Sequence, residues 1–148
     1  MKRNKIIGLL IIILVGFVSC NDDSDNSTKL INQPILKWGA SIDEINSRMK
    51  SFNLIESDAQ NLYFAGQGLE HAISYYFVDG KLETALVTVC AENITQKALE
   101  NLLNSYTYLG EQNNLSIYCQ ESAKTLAVIS MKQVENVDYY YIGFSRTD

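Results

Sequence analysis

The hydrophobic and polar positions change period several times along the chain, and each change marks an expected element. Residues 6–18 carry no polar side chain, whereas residues 21–28 are polar throughout. From Pro34 onward the pattern is mixed. Ser41-Ile42-Asp43-Glu44 has the form of a capping box, in which a hydroxyl and a carboxylate satisfy free amides at a helix start. Ile42, Ile45, Met49 and Phe52 then recur at spacings of three and four, which predicts a helix over 42–52. Strand-like runs follow at 61–65 and 72–78. The second ends in Asp79-Gly80, a two-residue turn whose twist suits a hairpin. Closing that hairpin without irregularity pairs Phe77 with Leu82, Tyr75 with Thr84 and Ile73 with Leu86, leaving Ser74, Tyr76, Glu83 and Ala85 on the other face.

The same order begins again after Ala91-Glu92-Asn93. Asn93 or Thr95 can cap a second helix with a stripe of Ala98, Leu99, Leu102, Leu103 and Tyr106, and strand-like runs follow at 115–119, 125–131 and 139–145. The helix starts at Ser41 and Thr95 are 54 residues apart, and Leu62 and Leu115 are 53 apart. This spacing predicts an αβββ unit used twice, over pseudo-repeats 34–91 and 92–148. The expected fold is α+β in two layers, a curved antiparallel sheet with two helices on one face. In architecture it resembles the tandem repeat of the secreted β-lactamase inhibitor protein. Gly39-Ala40-Ser41-x-x-Glu44-Ile45, with Tyr75-Tyr76-Phe77-Val78-Asp79-Gly80-Lys81-Leu82 after it, is similar to the helix-start and hairpin pattern of the small lipoprotein subunit of the outer-membrane β-barrel assembly machinery. Trp38-Gly39 before the helix resembles uncharacterised lipoproteins of Bacteroidetes. These likenesses rest on common turn and capping chemistry and imply a fold rather than a function.

The N-terminus is of another kind. Lys2, Arg3 and Lys5 precede the thirteen-residue apolar run. At a helical rise of ~1.5 Å that run would span about 20 Å, short of the roughly 30 Å of a hydrocarbon core. A signal peptide over 1–19 is therefore expected, rather than a permanent membrane span. Phe17-Val18-Ser19-Cys20 resembles the lipobox of bacterial lipoproteins, with Phe17 where that family prefers Leu. The resemblance implies cleavage before Cys20 and thioether attachment of a diacylglycerol to its thiol, an anchor of two or three acyl chains. The alternative is an ordinary cleaved signal with an incidental Cys. Residues 20–33 would then be the lipidated Cys and a flexible acidic tether, and 34–148 a single domain. Asp22, Asp23 and Asp25 resemble the sorting signal of Bacteroidetes surface lipoproteins. This implies the bacterial outer membrane, with surface exposure expected and the leaflet left open.

Composition sharpens this picture. The chain has 148 residues, 47% hydrophobic, with a net charge of −5, suited to one compact domain. Without residues 1–19 it has nine Lys+Arg against seventeen Asp+Glu, a charge of −8. Such a body lacks the cationic surface that nucleic acid needs, and it would not adhere to an anionic lipid surface, so membrane attachment rests on the lipid.

Candidate chemistry is sparse. His71 is the only histidine and lies beside the Gly66-Gln67-Gly68 connection, so it reads as a solvated loop residue. No nucleophile elbow surrounds any Ser, and a lone His has no second ligand for zinc. No catalytic residue, metal site or cofactor is assigned. Cys90 and Cys119 are a disulfide candidate in an oxidising envelope, each half contributing one; two separate buried thiols are the alternative. Trp38 reads as a core plug. Nine tyrosines stand in the mature chain, three of them as Tyr139-Tyr140-Tyr141. Alternation sends neighbours to opposite faces, and Tyr76 and Tyr140 are expected on the open side of the sheet as a binding surface. The functional expectation is a lipid-anchored, non-catalytic domain that binds a protein partner in the envelope, in the manner of a scaffold or inhibitor. A carbohydrate-binding accessory lipoprotein is the alternative.

Overall fold

The computed structural model describes residues 30–147, excepting the side chain of Gln96. The expected signal peptide, Cys20 and the Asp22, Asp23 and Asp25 cluster lie outside them. The described chain is α+β and mostly antiparallel sheet. Its elements run α1 (Ile42–Arg48), β1 (Leu54–Ser57), β2 (Asn61–Ala65), β3 (Glu70–Val78), β4 (Lys81–Cys90), α2 (Gln96–Leu102), β5 (Thr107–Gln112), β6 (Leu115–Gln120), β7 (Thr125–Val134) and β8 (Val137–Arg146). All eight strands join one sheet in the order β1-β2-β3-β4-β8-β7-β6-β5. Four strands follow each helix, not three. The unpredicted ones, β1 and β5, are the sheet's edges, where exposure on both faces removes the alternation that marks a strand.

Local chemistry sets the helix starts. Ser41 Oγ accepts from Glu44 N at 3.2 Å, and Thr95 Oγ1 accepts from Ala98 N at 3.1 Å. The Glu44 carboxylate lies 2.5 Å from Lys37 Nζ and 3.3 Å from Arg48 Nη2. Helix α1 stops at Arg48, one turn earlier than its apolar stripe suggests, and Phe52 packs on the core from the turn beyond. Three hairpins close through two-residue turns with both residues at positive φ: Asp79-Gly80 (51° and 72°), Asn113-Asn114 (52° and 62°) and Glu135-Asn136 (48° and 67°). This backbone twist matches that of the flanking strands.

One core cluster joins Ile45 of α1, Met49 at its C-cap and Ala98 and Leu102 of α2 to Phe64, Ile73, Tyr75, Phe77, Val87, Ile129, Ile142 and Phe144 of the sheet. The hairpin β3–β4 departs from the regular register. Phe77 pairs with Leu82 as expected, but Tyr76 then pairs with Thr84, Tyr75 with Ala85 and Ile73 with Val87, because a bulge intervenes. One extra residue reverses the parity of the rest of the strand. Ala85, Val87 and Val89 therefore enter the core, and Thr84, Leu86 and Thr88 turn to the opposite face.

The domain also begins earlier than Pro34. Ile31 is buried in the core, Asn32 is bonded to Glu70, and Gln33 Nε2 donates to Leu102 O at 3.0 Å. Residues 30–33, expected in a tether, thus belong to the folded body. No helix among the described residues is long and apolar enough to cross a membrane.

Candidate functional site

The face opposite the core carries a tyrosine cluster. Across the central strands Cys90 pairs with Tyr139, Thr88 with Tyr141 and Leu86 with Gly143. Paired residues share a face, so Tyr139 and Tyr141 stand with Thr88 and away from Val87. Tyr63, on β2, pairs with Ser74 of the same opposite face. The rings of Tyr139 and Tyr141 are 6.4 Å apart, and His71 packs edge-on against Tyr139 at 5.7 Å. Burial, followed by the neighbouring phenols of Tyr141 and Tyr139, pushes the Tyr63 hydroxyl above its ordinary range. Burial and then Tyr139 do the same to Tyr141. All four side chains are half-buried. Between them on this face lie the small residues Ala65, Ala72, Ser74 and Gly143, together with Leu86 and Thr88 of β4.

Tyr76 shares this face, through its pairing with Thr84, but Tyr140 does not. Tyr140 pairs with Val89 on one side and Met131 on the other and packs on the core, which corrects its expected place in the binding surface. The signal was present in the sequence. Tyr140, Ile142 and Phe144 form one apolar parity, while Tyr139, Tyr141, Gly143 and Ser145 form the other. His71 is likewise not a loop residue. It lies on β3 beside an irregularity between Glu70 and Ala72, which helps aim it at Tyr139.

Cys90 and Cys119 are not bridged, because Cys119 is a free thiol. Two strands separate β4 from β6, and Cys119 aligns with Leu126 whereas Cys90 aligns, through Tyr139, with Lys132. The separation is about 14 Å across the sheet and about 20 Å along it, far beyond the reach of a disulfide. Trp38 packs on the core, as a plug would, with its indole Nε1 bonded to Thr125.

Glu70 is a buried carboxylate, at 4% exposure, that accepts four hydrogen bonds. Its Oε1 accepts from Asn32 Nδ2, Gln67 N and Gly68 N at 2.7, 2.9 and 3.0 Å, and its Oε2 from Asn32 N at 2.9 Å. These bonds fix the Gly66-Gln67-Gly68 turn against the entering chain, a structural use of the charge. Cβ atoms would collide there, 1.8 Å from Glu70 O at Gly66 and 2.1 Å from Leu30 O at Gly68. Among the described residues, no group of three His, Cys, Asp or Glu side chains is placed to hold a metal ion. In comparisons with protein-family models, with curated proteins and with solved structures, nothing matches this chain.

Proposed function

We propose that the chain is a lipid-anchored lipoprotein of the bacterial outer membrane, held through Cys20, whose domain binds a protein partner with the tyrosine-bearing face of its sheet. The observation that carries the binding reading is the cluster of Tyr63, Tyr139 and Tyr141 with His71, half-buried rings gathered on the face away from the core. Tyrosine supplies wide contact area with a hydrogen-bonding tip at little conformational cost, which suits protein recognition. In this reading the domain is a binding module rather than an enzyme. We read the two helix-and-four-strand series as a tandem repeat with both helices on the core face. This is supported by the sheet order, symmetric about the β4–β8 pair, and by helices that start 54 residues apart. The acidic residues Asp22, Asp23 and Asp25 act as a sorting signal toward the surface, and the tether lets the face reach its partner.

Two experiments test this. Cys20→Ala abolishes acyl labelling and membrane fractionation, and persistence of both refutes the anchor. In-cell photo-crosslinking from position 141 captures a protein, and capture is lost in a Tyr63→Ala/Tyr139→Ala chain that keeps its circular dichroism. Saturable glycan binding removed by the same pair would instead favour the carbohydrate reading.

A further inference from the structure

Glu70 stands beside the tyrosine face without belonging to it, and its carboxylate joins three separate pieces of the chain. Asn32 lies in the segment that enters the domain, Gln67 and Gly68 lie in the turn before β3, and Glu70 itself opens β3. The same pieces also meet through the backbone. Leu69 N donates to Leu30 O at 3.2 Å, and Gly66 N donates to His71 O at 2.9 Å. The fit is close, since a Cβ on Gly68 would lie 2.7 Å from Glu70 Oε2 and 3.1 Å from Asn32 Nδ2. A carboxylate suits this junction because every group converging on it is an N–H donor, and an ionised carboxylate only accepts.

The next residue is His71. Glu70 pairs with Val89 and Ala72 with the adjacent Thr88, which makes His71 the extra residue of a bulge. In a bulge the local backbone, rather than the alternation of the ladder, aims the side chain. Here that backbone is held by the Glu70 junction and by the bond from Gly66, and the ring it aims meets Tyr139 at 5.7 Å, with Tyr141 6.4 Å beyond. We propose that Glu70 is a positioning residue for the tyrosine face: by clamping Asn32 and the Gly66-Gln67-Gly68 turn to the start of β3, it holds His71 against Tyr139 and so sets the shape of the surface offered to the protein partner. This rests on the tyrosine face being the binding surface. Because Asn32 belongs to the entering segment, the path by which the chain joins the domain and the geometry of the face are coupled through one carboxylate.

The test compares the full chain with its Glu70→Gln, Asn32→Ala and Thr125→Val variants. In detergent, nuclear magnetic resonance reads the Overhauser contact between the rings of His71 and Tyr139, and His71 is the only histidine, so its ring signals are unambiguous. In cells, photo-crosslinking from position 141 reads partner capture. Glu70→Gln and Asn32→Ala should lose the ring contact and lower capture about fivefold or more. Thr125→Val, which weakens the fold far from this junction, should leave both unchanged. An intact ring contact in Glu70→Gln and Asn32→Ala would reduce Glu70 to a structural role and overturn the proposal. So would an equal fall in capture in Thr125→Val, because the effect would then follow overall stability. If the unsubstituted chain captures nothing from position 141, the binding reading of the face fails, and the ring contact alone decides whether Glu70 positions His71. If Glu70→Gln changes the circular dichroism, Asn32→Ala decides the result.

Discussion

Trp38 Nε1 donates a 3.0 Å hydrogen bond to Thr125 Oγ1 across 87 residues of sequence. Thr125 is fully buried, and its hydroxyl in turn donates to Ala123 O at 3.0 Å. The bond ties the segment entering α1 to the first residue of β7. Trp38→Phe and Thr125→Val should each destabilise the domain. The coupling between them in a double-mutant cycle should be about 0.5–1.5 kcal/mol, read by urea unfolding in far-UV circular dichroism. Additive effects would mean that the bond contributes nothing.

Replacing the Glu70 carboxylate with an amide places N–H donors against N–H donors. Four hydrogen bonds converge on this buried group, so Glu70→Gln should cost about 2–3 kcal/mol and speed hydrogen exchange at Gln67 and Gly68. Gly66→Ala should be at least as damaging, because its Cβ would meet the Glu70 backbone. A stability change near zero for either variant would contradict this placement.

At alkaline pH the domain should lose stability through Tyr75. Burial pushes its hydroxyl up to about 12, with the N–H of Ile35 donating to it at 2.9 Å and acting in the opposite direction. The unfolded chain ionises near 10, so it sheds the proton first. The stabilising contribution is complete below about pH 10 and is lost as pH rises toward 12, by about 2–3 kcal/mol for a two-unit shift. Tyr75→Phe should flatten this part of the stability profile, and an unchanged slope would assign the loss to other groups.

Glu135 occupies a left-handed position, φ 48°, in the β7–β8 turn, where Asn113 serves in the β5–β6 turn. A bulky L-residue there is strained by roughly 1 kcal/mol, and Asn tolerates the conformation better. Glu135→Asn should raise the unfolding midpoint by the equivalent of about 0.5 kcal/mol, measured by thermal denaturation. A lowered midpoint would mean that the Glu side chain contributes more than the strain costs.

Denatured without reductant and treated with iodoacetamide, the protein should carry the label on Cys119, and digestion should yield no peptide joining Cys90 to Cys119. A joined peptide would contradict the sheet order, which keeps these strands apart.

The legible part of this protein was local. Ser41 and Thr95 announce their helices within three residues, because a cap is a bond between a side chain and an amide one turn away. Asp79-Gly80 announces its hairpin for a similar reason. The strands β2, β3, β7 and β8 are visible where buried positions set off the apolar residues, and β6, half-buried throughout, is visible from its apolar Leu115, Ile117 and Cys119. The edges β1 and β5 lacked that contrast, with Leu54, Ile55, Tyr108 and Leu109 all exposed.

The candidate site was half legible. Tyr76 lies on the expected face, but Tyr139 and Tyr141 stand where Tyr140 is expected, although the parity of Ile142 and Phe144 distinguishes them. The bulge in β4 gave no such warning. It is the burial of Ala85 and Val87 against the helices and neighbouring strands that selects it over the regular register.

Residue order alone therefore establishes the apolar N-terminal run, the acidic body, the helix caps and the hairpin, each set by interactions within a few positions. That Tyr63 shares a face with Tyr139 and Tyr141, how far Cys90 lies from Cys119 and which strand is left at the edge depend on strand order and register. Those are chosen by burial summed over residues distant in sequence, so no short window of the chain contains them.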